Sequence, residues 1–149
     1  MADQEQSLIT DEHRAKVGVK SEPTTVTVRE VDAHRMRDIL GDTDPRYADG
    51  TGLAAPYTIA MFHGGRRDMG VQVLPGGLLT QQEWKFSRPF RIGEELTAIS
   101  QVFDVRERLG GRYGYSVLVT NSTDYYDSDG NHVAAAMMTI TQFDPKAAR

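Results

Sequence analysis

The sequence predicts an α+β fold in which an antiparallel β-sheet wraps around one central apolar α-helix. Three observations carry that expectation. Residues Leu53-Ala54-Ala55-Pro56-Tyr57-Thr58-Ile59-Ala60-Met61-Phe62 are apolar almost throughout, which suits a helix enclosed by protein rather than one laid on a surface. From Leu78 onward the pattern changes to strand-like runs at 79–88, 95–108, 113–126 and 132–143. Short connections join the later runs: Gly110-Gly111 separates the second from the third, and Ser128-Asp129-Gly130-Asn131 the third from the fourth. Asp-Gly is a strong hairpin signal, so these runs read as an antiparallel meander.

The earlier elements follow in order. Residues 1–7 are polar and read as a flexible tail, which leaves 8–149 as a single domain. Thr10 is the expected N-cap of a first helix, with Asp11 and Glu12 in its first turn and Gly18 as its stop. Residues 24–30 alternate β-branched and polar side chains, with Val26 and Val28 on one face of a strand. Asp32 is placed as the cap of a short helix over 33–40, which Gly41 ends. Residues 41–52 are a loop of turn formers. Pro56 suits the first turn of the central helix, where its missing N–H costs nothing, and Gly64-Gly65 marks a stop or bend. In the last strand, residues 133–138 are apolar on both faces. Either the central helix covers one face and a second copy or partner the other, or small residues simply tolerate burial.

Composition narrows the function. A chain of 149 residues, 39% hydrophobic and 26% charged, has enough apolar side chains for one real core. A net charge of −4 and a pI near 5.5 offer no basic face for a nucleic acid. The absence of cysteine removes disulfide and thiolate chemistry. No secretory h-region and no run of roughly 18 apolar residues is found, so the expected location is cytoplasmic, away from membranes. The four histidines, His13, His34, His63 and His132, lack metal-ligand spacing, and no metal is expected. There is no Gly-x-Ser-x-Gly nucleophile motif, and Gly76-Gly77 precedes a strand rather than a helix, against a phosphate loop.

A buried helix followed by a long antiparallel sheet is the hot-dog arrangement, and four stretches then point to a family. Ile39-Leu40-Gly41-Asp42-Thr43-Asp44-Pro45-Arg46-Tyr47 resembles the Gly-Asp-x-Asn-Pro-x-His motif of R-specific enoyl-thioester hydratases. Ala54-Ala55-Pro56-Tyr57-Thr58 resembles the Ala-Pro-Pro-Thr helix opening of MaoC-type dehydratase N-terminal domains. Glu83-Trp84-Lys85-Phe86-Ser87-Arg88-Pro89-Phe90-Arg91-Ile92-Gly93-Glu94-Glu95-Leu96 is similar to that family's Arg-Pro-Leu-x-x-Gly-Asp-x-Leu strand and turn, and Asp129-Gly130-Asn131-His132-Val133 to its Asp-Gly-x-x-Val hairpin. Each piece is weak alone. In order across residues 8–143, the four identify the chain as similar to 3-hydroxyacyl-thioester dehydratases and enoyl-CoA hydratases.

The resemblance implies a chemistry. An Asp and a His hold a water against the double bond of an enoyl thioester, and a backbone N–H at the start of the central helix receives the enolate-like oxygen. Asp42 matches the Asp, but Tyr47 stands where the His is expected and Asp44 where the Asn is. Pro56 has no N–H to give, which leaves Tyr57 or a neighbour. A tyrosine, with an ordinary pKa of about 10, is a poor base near neutral pH but a usable acid or hydrogen-bond donor. Asp42 and Tyr47 are thus the catalytic candidates, and Pro56, Tyr57, Met61, Phe62 and His63 the substrate-binding ones. Each has a plain alternative: turn residue, satisfied buried tyrosine, core side chain, or helix cap for His63. Arg66, Arg67, Arg106, Arg108 and Arg112 are candidates for phosphates of coenzyme A or a carrier, against the default of solvated surface.

Three functions compete. One is a substrate-binding or structural subunit of an enoyl-CoA hydratase or 3-hydroxyacyl-CoA dehydratase, whose partner carries the Asp and His. Another is a self-sufficient homodimeric enzyme with altered chemistry, a dehydratase using Asp42 and Tyr47 or an isomerase or cyclase on a bulky apolar substrate. The third is a non-enzymatic binding module. The expected cofactor is none, coenzyme A or an acyl carrier entering only as part of the thioester substrate.

Overall fold

The computed structural model describes residues 6–62 and 70–147, with the side chains of Met61 and Phe62 outside the description. The described elements are α1 (Asp11–Ala15), β1 (Thr24–Thr27), α2 (Glu30–Leu40), β2 (Leu53–Ala54), α3 (Thr58–Phe62), β3 (Gly76–Phe86), β4 (Phe90–Arg91), β5 (Glu95–Arg108), β6 (Ser116–Tyr126) and β7 (His132–Phe143). Five strands form one antiparallel sheet in the order β1-β5-β6-β7-β3, and β2 pairs with β4. The expected α+β hot-dog architecture is present. Two of the four expected strands, at 95–108 and 132–143, match β5 and β7 end for end.

Side chains alternate along a strand, so directly opposed residues share a face. Ala98, Tyr125, Ala134 and Phe86 follow one another across β5, β6, β7 and β3 and point inward. This inner face carries two apolar clusters. Ile59 of α3 packs in the first, with Phe90, Leu96, Tyr125, Ala134 and Ala136, flanked by Trp84 and Phe86. The second gathers Ile9, Val71, Val102, Val105, Val117 and Val119 toward the other end of the sheet. Between them lies a polar rung in which Ser100 Oγ and Thr123 Oγ1 are 2.8 Å apart. Gln142, inside the second cluster's end, accepts from Val73 N and Leu74 N (2.7 and 3.2 Å) and donates to Val71 O (2.8 Å), and so fastens the segment leading into β3.

Several local expectations change. Thr10 does cap α1, its hydroxyl accepting from His13 N. The second helix starts earlier than expected: Arg29 is its N-cap, and Asp32 lies in the first turn rather than at the cap. Asp32 is buried there and accepts from Arg29 Nε at 2.5 Å, a position where the helix dipole also favours a carboxylate. Leu53 and Ala54 do not open the central helix but pair as β2 with Arg91 and Phe90. Pro56 and Tyr57 form a turn, Thr58 N donates to Ala55 O at 2.9 Å, and the helix begins at Thr58. Gly76-Gly77 lies within β3 rather than ahead of it: a Cβ on Gly76 would stand 2.8 Å from Phe143 O. In β7, Ala134, Ala136 and Met138 face the core, whereas Ala135 and Met137 on the outer face are half-buried. Gly64 and Gly65 lie outside the described residues.

Candidate functional site

The last turn of α2 sets the position of Asp42. Gly41 adopts φ 62°, and the amides of Gly41 and Asp42 return to Asp38 O and Arg37 O at 3.3 and 3.0 Å. This Schellman closure needs a left-handed residue, which glycine supplies without a Cβ clash. The chain leaves the helix with Asp42 fixed beside its end. Asp42 Oδ1 then accepts from Asp44 N at 2.9 Å, and Asp44 Oδ1 caps the following turn through Arg46 N at 3.0 Å.

The partner of Asp42 is Tyr57, not Tyr47. The Tyr57 hydroxyl donates to Asp42 Oδ2. Asp42 is held below the ordinary carboxylate range, first by that hydrogen bond and second by the Asp44 amide. Burial, followed by the Asp42 hydrogen bond, pushes Tyr57 up to about 12. Tyr47 is buried at 9% exposure under the Arg46 guanidinium, 5.3 Å from its ring centroid. Among the described residues it makes no hydrogen bond to Asp42. Arg37 is a participant that sequence reasoning missed. Its charge favours the ionised form of Asp42, Asp44 and Tyr57 alike. Its side chain is 17% exposed, its Nη1 lies 3.8 Å from Asp49, and its buried Nε has no hydrogen-bond partner among the described residues. The signal was faint: a single arginine five residues before Asp42.

No described histidine hydrogen-bonds to Asp42. His34 Nε2 pairs with Asp49 at 3.0 Å, His132 Nε2 with Asp124 at 2.7 Å, and His13 closes the cap of α1. His63, Arg66 and Arg67 lie outside the described residues. The described residues hold no group of three or more side chains suited to a metal.

The sequence matches the FAS1-like dehydratase domain region over residues 15–136. The chain belongs to this hot-dog dehydratase family. No curated protein is a match. Among solved structures, a chain of the ChsH1–ChsH2 complex from Mycobacterium tuberculosis is similar with a TM-score of 0.72 and 19% identity, over 92% of this chain and 97% of that one. A MaoC-like dehydratase aligns with a TM-score of 0.69 and 21% identity, over 90% of this chain and 44% of that one. The (R)-hydratase from A. caviae aligns with a TM-score of 0.60 and 17% identity, over 85% and 96%.

Within this dehydratase framework the Arg88-Pro89-Phe90 stretch has a structural task. Arg88 Nη2 lies 2.5 Å from Glu94 Oε1 and 3.4 Å from Asp127 Oδ2, and Nη1 donates to Pro89 O at 3.0 Å. One guanidinium thus ties the β4 turn to the β6–β7 hairpin, where Asp127 Oδ1 also receives Asp129 N and Asn131 N at 3.0 and 2.9 Å. Among the described residues, two further arginine candidates have other partners. Arg106 pairs with Asp104 at 3.5 Å on the outer face, and Arg112 lies over Tyr113 in the β5–β6 hairpin, at the sheet end away from the β6–β7 hairpin. Among the described residues no helix is long and apolar enough to cross a membrane.

Proposed function

We propose that this chain is a substrate-binding and structural subunit of an enoyl-thioester hydratase or 3-hydroxyacyl-thioester dehydratase, with a second chain supplying the working acid–base pair. The observation that carries this is the state of Asp42. A general base needs an oxygen facing the reacting water and a pKa near the working pH. Here one carboxylate oxygen holds the Tyr57 hydroxyl, the other holds the Asp44 amide, and both bonds lower the pKa. Tyr57, raised to about 12, stays protonated and keeps that bond closed at neutral pH. The Asp42–Tyr57 pair fastens the loop to the turn before α3. Pro56, Tyr57, Met61, Phe62 and His63 remain the residues assigned to the acyl group. The substrate is a thioester of coenzyme A or an acyl carrier, no separate cofactor is required, and the setting is cytoplasmic.

The hydrogen bond itself favours a second reading. Tyr57, rather than Tyr47, would serve as acid beside Asp42 in a self-sufficient enzyme. Calorimetry with a saturated acyl-CoA, on the chain alone, tests the subunit reading. The expected result is saturable binding that a substitution at Tyr57 weakens. No binding to coenzyme A or carrier thioesters, alone or with an intact hot-dog hydratase chain, would leave a non-enzymatic module as the better account.

A further inference from the structure

The polar belt between the two apolar clusters holds hydrogen-bonding capacity that the fold does not use. Asn121 of β6 faces inward between its neighbours Val102 and Met138, both buried. It is 6% exposed, and its Oδ1 has no hydrogen-bond partner among the described residues. A buried amide oxygen left unpaired carries a cost that an apolar side chain of the same size avoids. Two residues along β6 on the same face, Thr123 Oγ1 shares one hydrogen bond with Ser100 Oγ at 2.8 Å. One of these hydroxyls donates to the other, so one hydroxyl hydrogen is left over. We infer that this belt is a binding position for a hydroxyl group on the acyl part of the substrate, with Asn121 as the residue that selects it.

The chemistry favours a hydroxyl over other groups. Asn121 Oδ1 calls for a donor, and the spare hydrogen of the Ser100–Thr123 pair calls for an acceptor; a hydroxyl supplies both. It also suits either rotation of the amide, whereas a ketone oxygen serves only one. Alternate residues of a strand lie about 7 Å apart, and a hydroxyl bonded on both sides spans roughly 5 Å between its partners. Position along the strand then sets where the hydroxyl sits on the acyl group. Tyr125 packs in the same cluster as Ile59 of α3, and Asn121 is four residues from it, about 13 Å along β6. On the subunit reading the acyl group starts at the turn before α3, so the hydroxyl belongs to its far part rather than to the reacting carbons. A trapped water is the plain alternative, and it would hydrogen-bond the amide in the ligand-free protein.

Calorimetry on the chain with saturated ω-hydroxyacyl-CoA esters of increasing length, each beside its unsubstituted counterpart, tests this. The variant is Asn121→Leu, which keeps the size of the side chain and removes its polar atoms. The expected result is one length at which wild type binds the hydroxylated ester at least about tenfold more tightly than its counterpart, a preference absent from Asn121→Leu. Thermal unfolding without ligand should place the variant at or above wild type, because no hydrogen bond is lost. The inference is overturned by a wild type indifferent to the hydroxyl at every length, or by a preference that Asn121→Leu retains. A lower unfolding midpoint in the folded variant, as loss of a bound water's bond would give, overturns it too. Should the variant not fold, the wild-type comparison alone decides. The inference rests on the subunit reading, and the two fail differently. No binding of any ester removes both, whereas binding without regard to the hydroxyl leaves the subunit reading standing.

Discussion

Two parts of the molecule resemble the same family motifs and differ in what the resemblance delivers. At the β4 turn, Arg88 meets Glu94 and Asp127 as a closed knot of charges joining that turn to the β6–β7 hairpin. At the end of α2, Gly41 closes the helix and sets Asp42 beside its end, where Asp42 meets the Tyr57 hydroxyl. The framework motif works through contacts this chain contains. The loop stretch closes on itself through the Asp42–Tyr57 hydrogen bond.

The largest effect belongs to the framework. Phe90 is fully buried in the first cluster, so Phe90→Ala should cost about 4 kcal/mol of stability in urea unfolding. Arg88→Ala should cost about 2 kcal/mol, by leaving Glu94 and Asp127 side by side without their cation, with partial exposure of the guanidinium reducing the loss. Both carboxyls sit below their ordinary values of 4.5 and 3.8. Their contribution is therefore complete above those values and is lost as pH falls through the lowered ones. Wild type should lose stability over that acid range more steeply than Arg88→Ala, and equal slopes would break the assigned role.

Changes in the loop should be smaller and local. Gly41→Ala places a Cβ on a residue at φ 62° and should cost about 1 kcal/mol, with amide shifts confined to residues near Asp42. Tyr57→Phe should leave the fold intact and raise the Asp42 pKa toward its ordinary value, read by carboxyl-carbon NMR titration. An unchanged Asp42 titration would mean that the Tyr57 hydrogen bond is not what holds it down.

Legibility in the sequence followed the range of the interactions. Strands β5 and β7 are readable to their ends because alternation in β5 and the turn residues ahead of β7 are local signals. The two-residue strands β2 and β4 carry no period, and their pairing joins residues 53–54 to 90–91, so the stretch before Pro56 reads as helix in the sequence alone. Asp42 was visible as part of a motif. Its partnership with Tyr57 was not, because fifteen residues and the turn at Pro56 separate them. Tyr47 occupies the motif's histidine position in sequence, but the short turn that Asp44 caps buries it under Arg46. Arg37 acts through charge and a helix carbonyl, neither of which leaves a pattern.

The most direct test of the central claim is hydration of a panel of enoyl-CoA esters by the purified chain, alongside Asp42→Asn, following loss of the enoyl absorbance. The account predicts no turnover above background for either protein alone, while acyl-CoA still binds. Turnover by the wild-type chain that Asp42→Asn abolishes would contradict it, and would make the Asp42–Tyr57 pair a working acid–base couple.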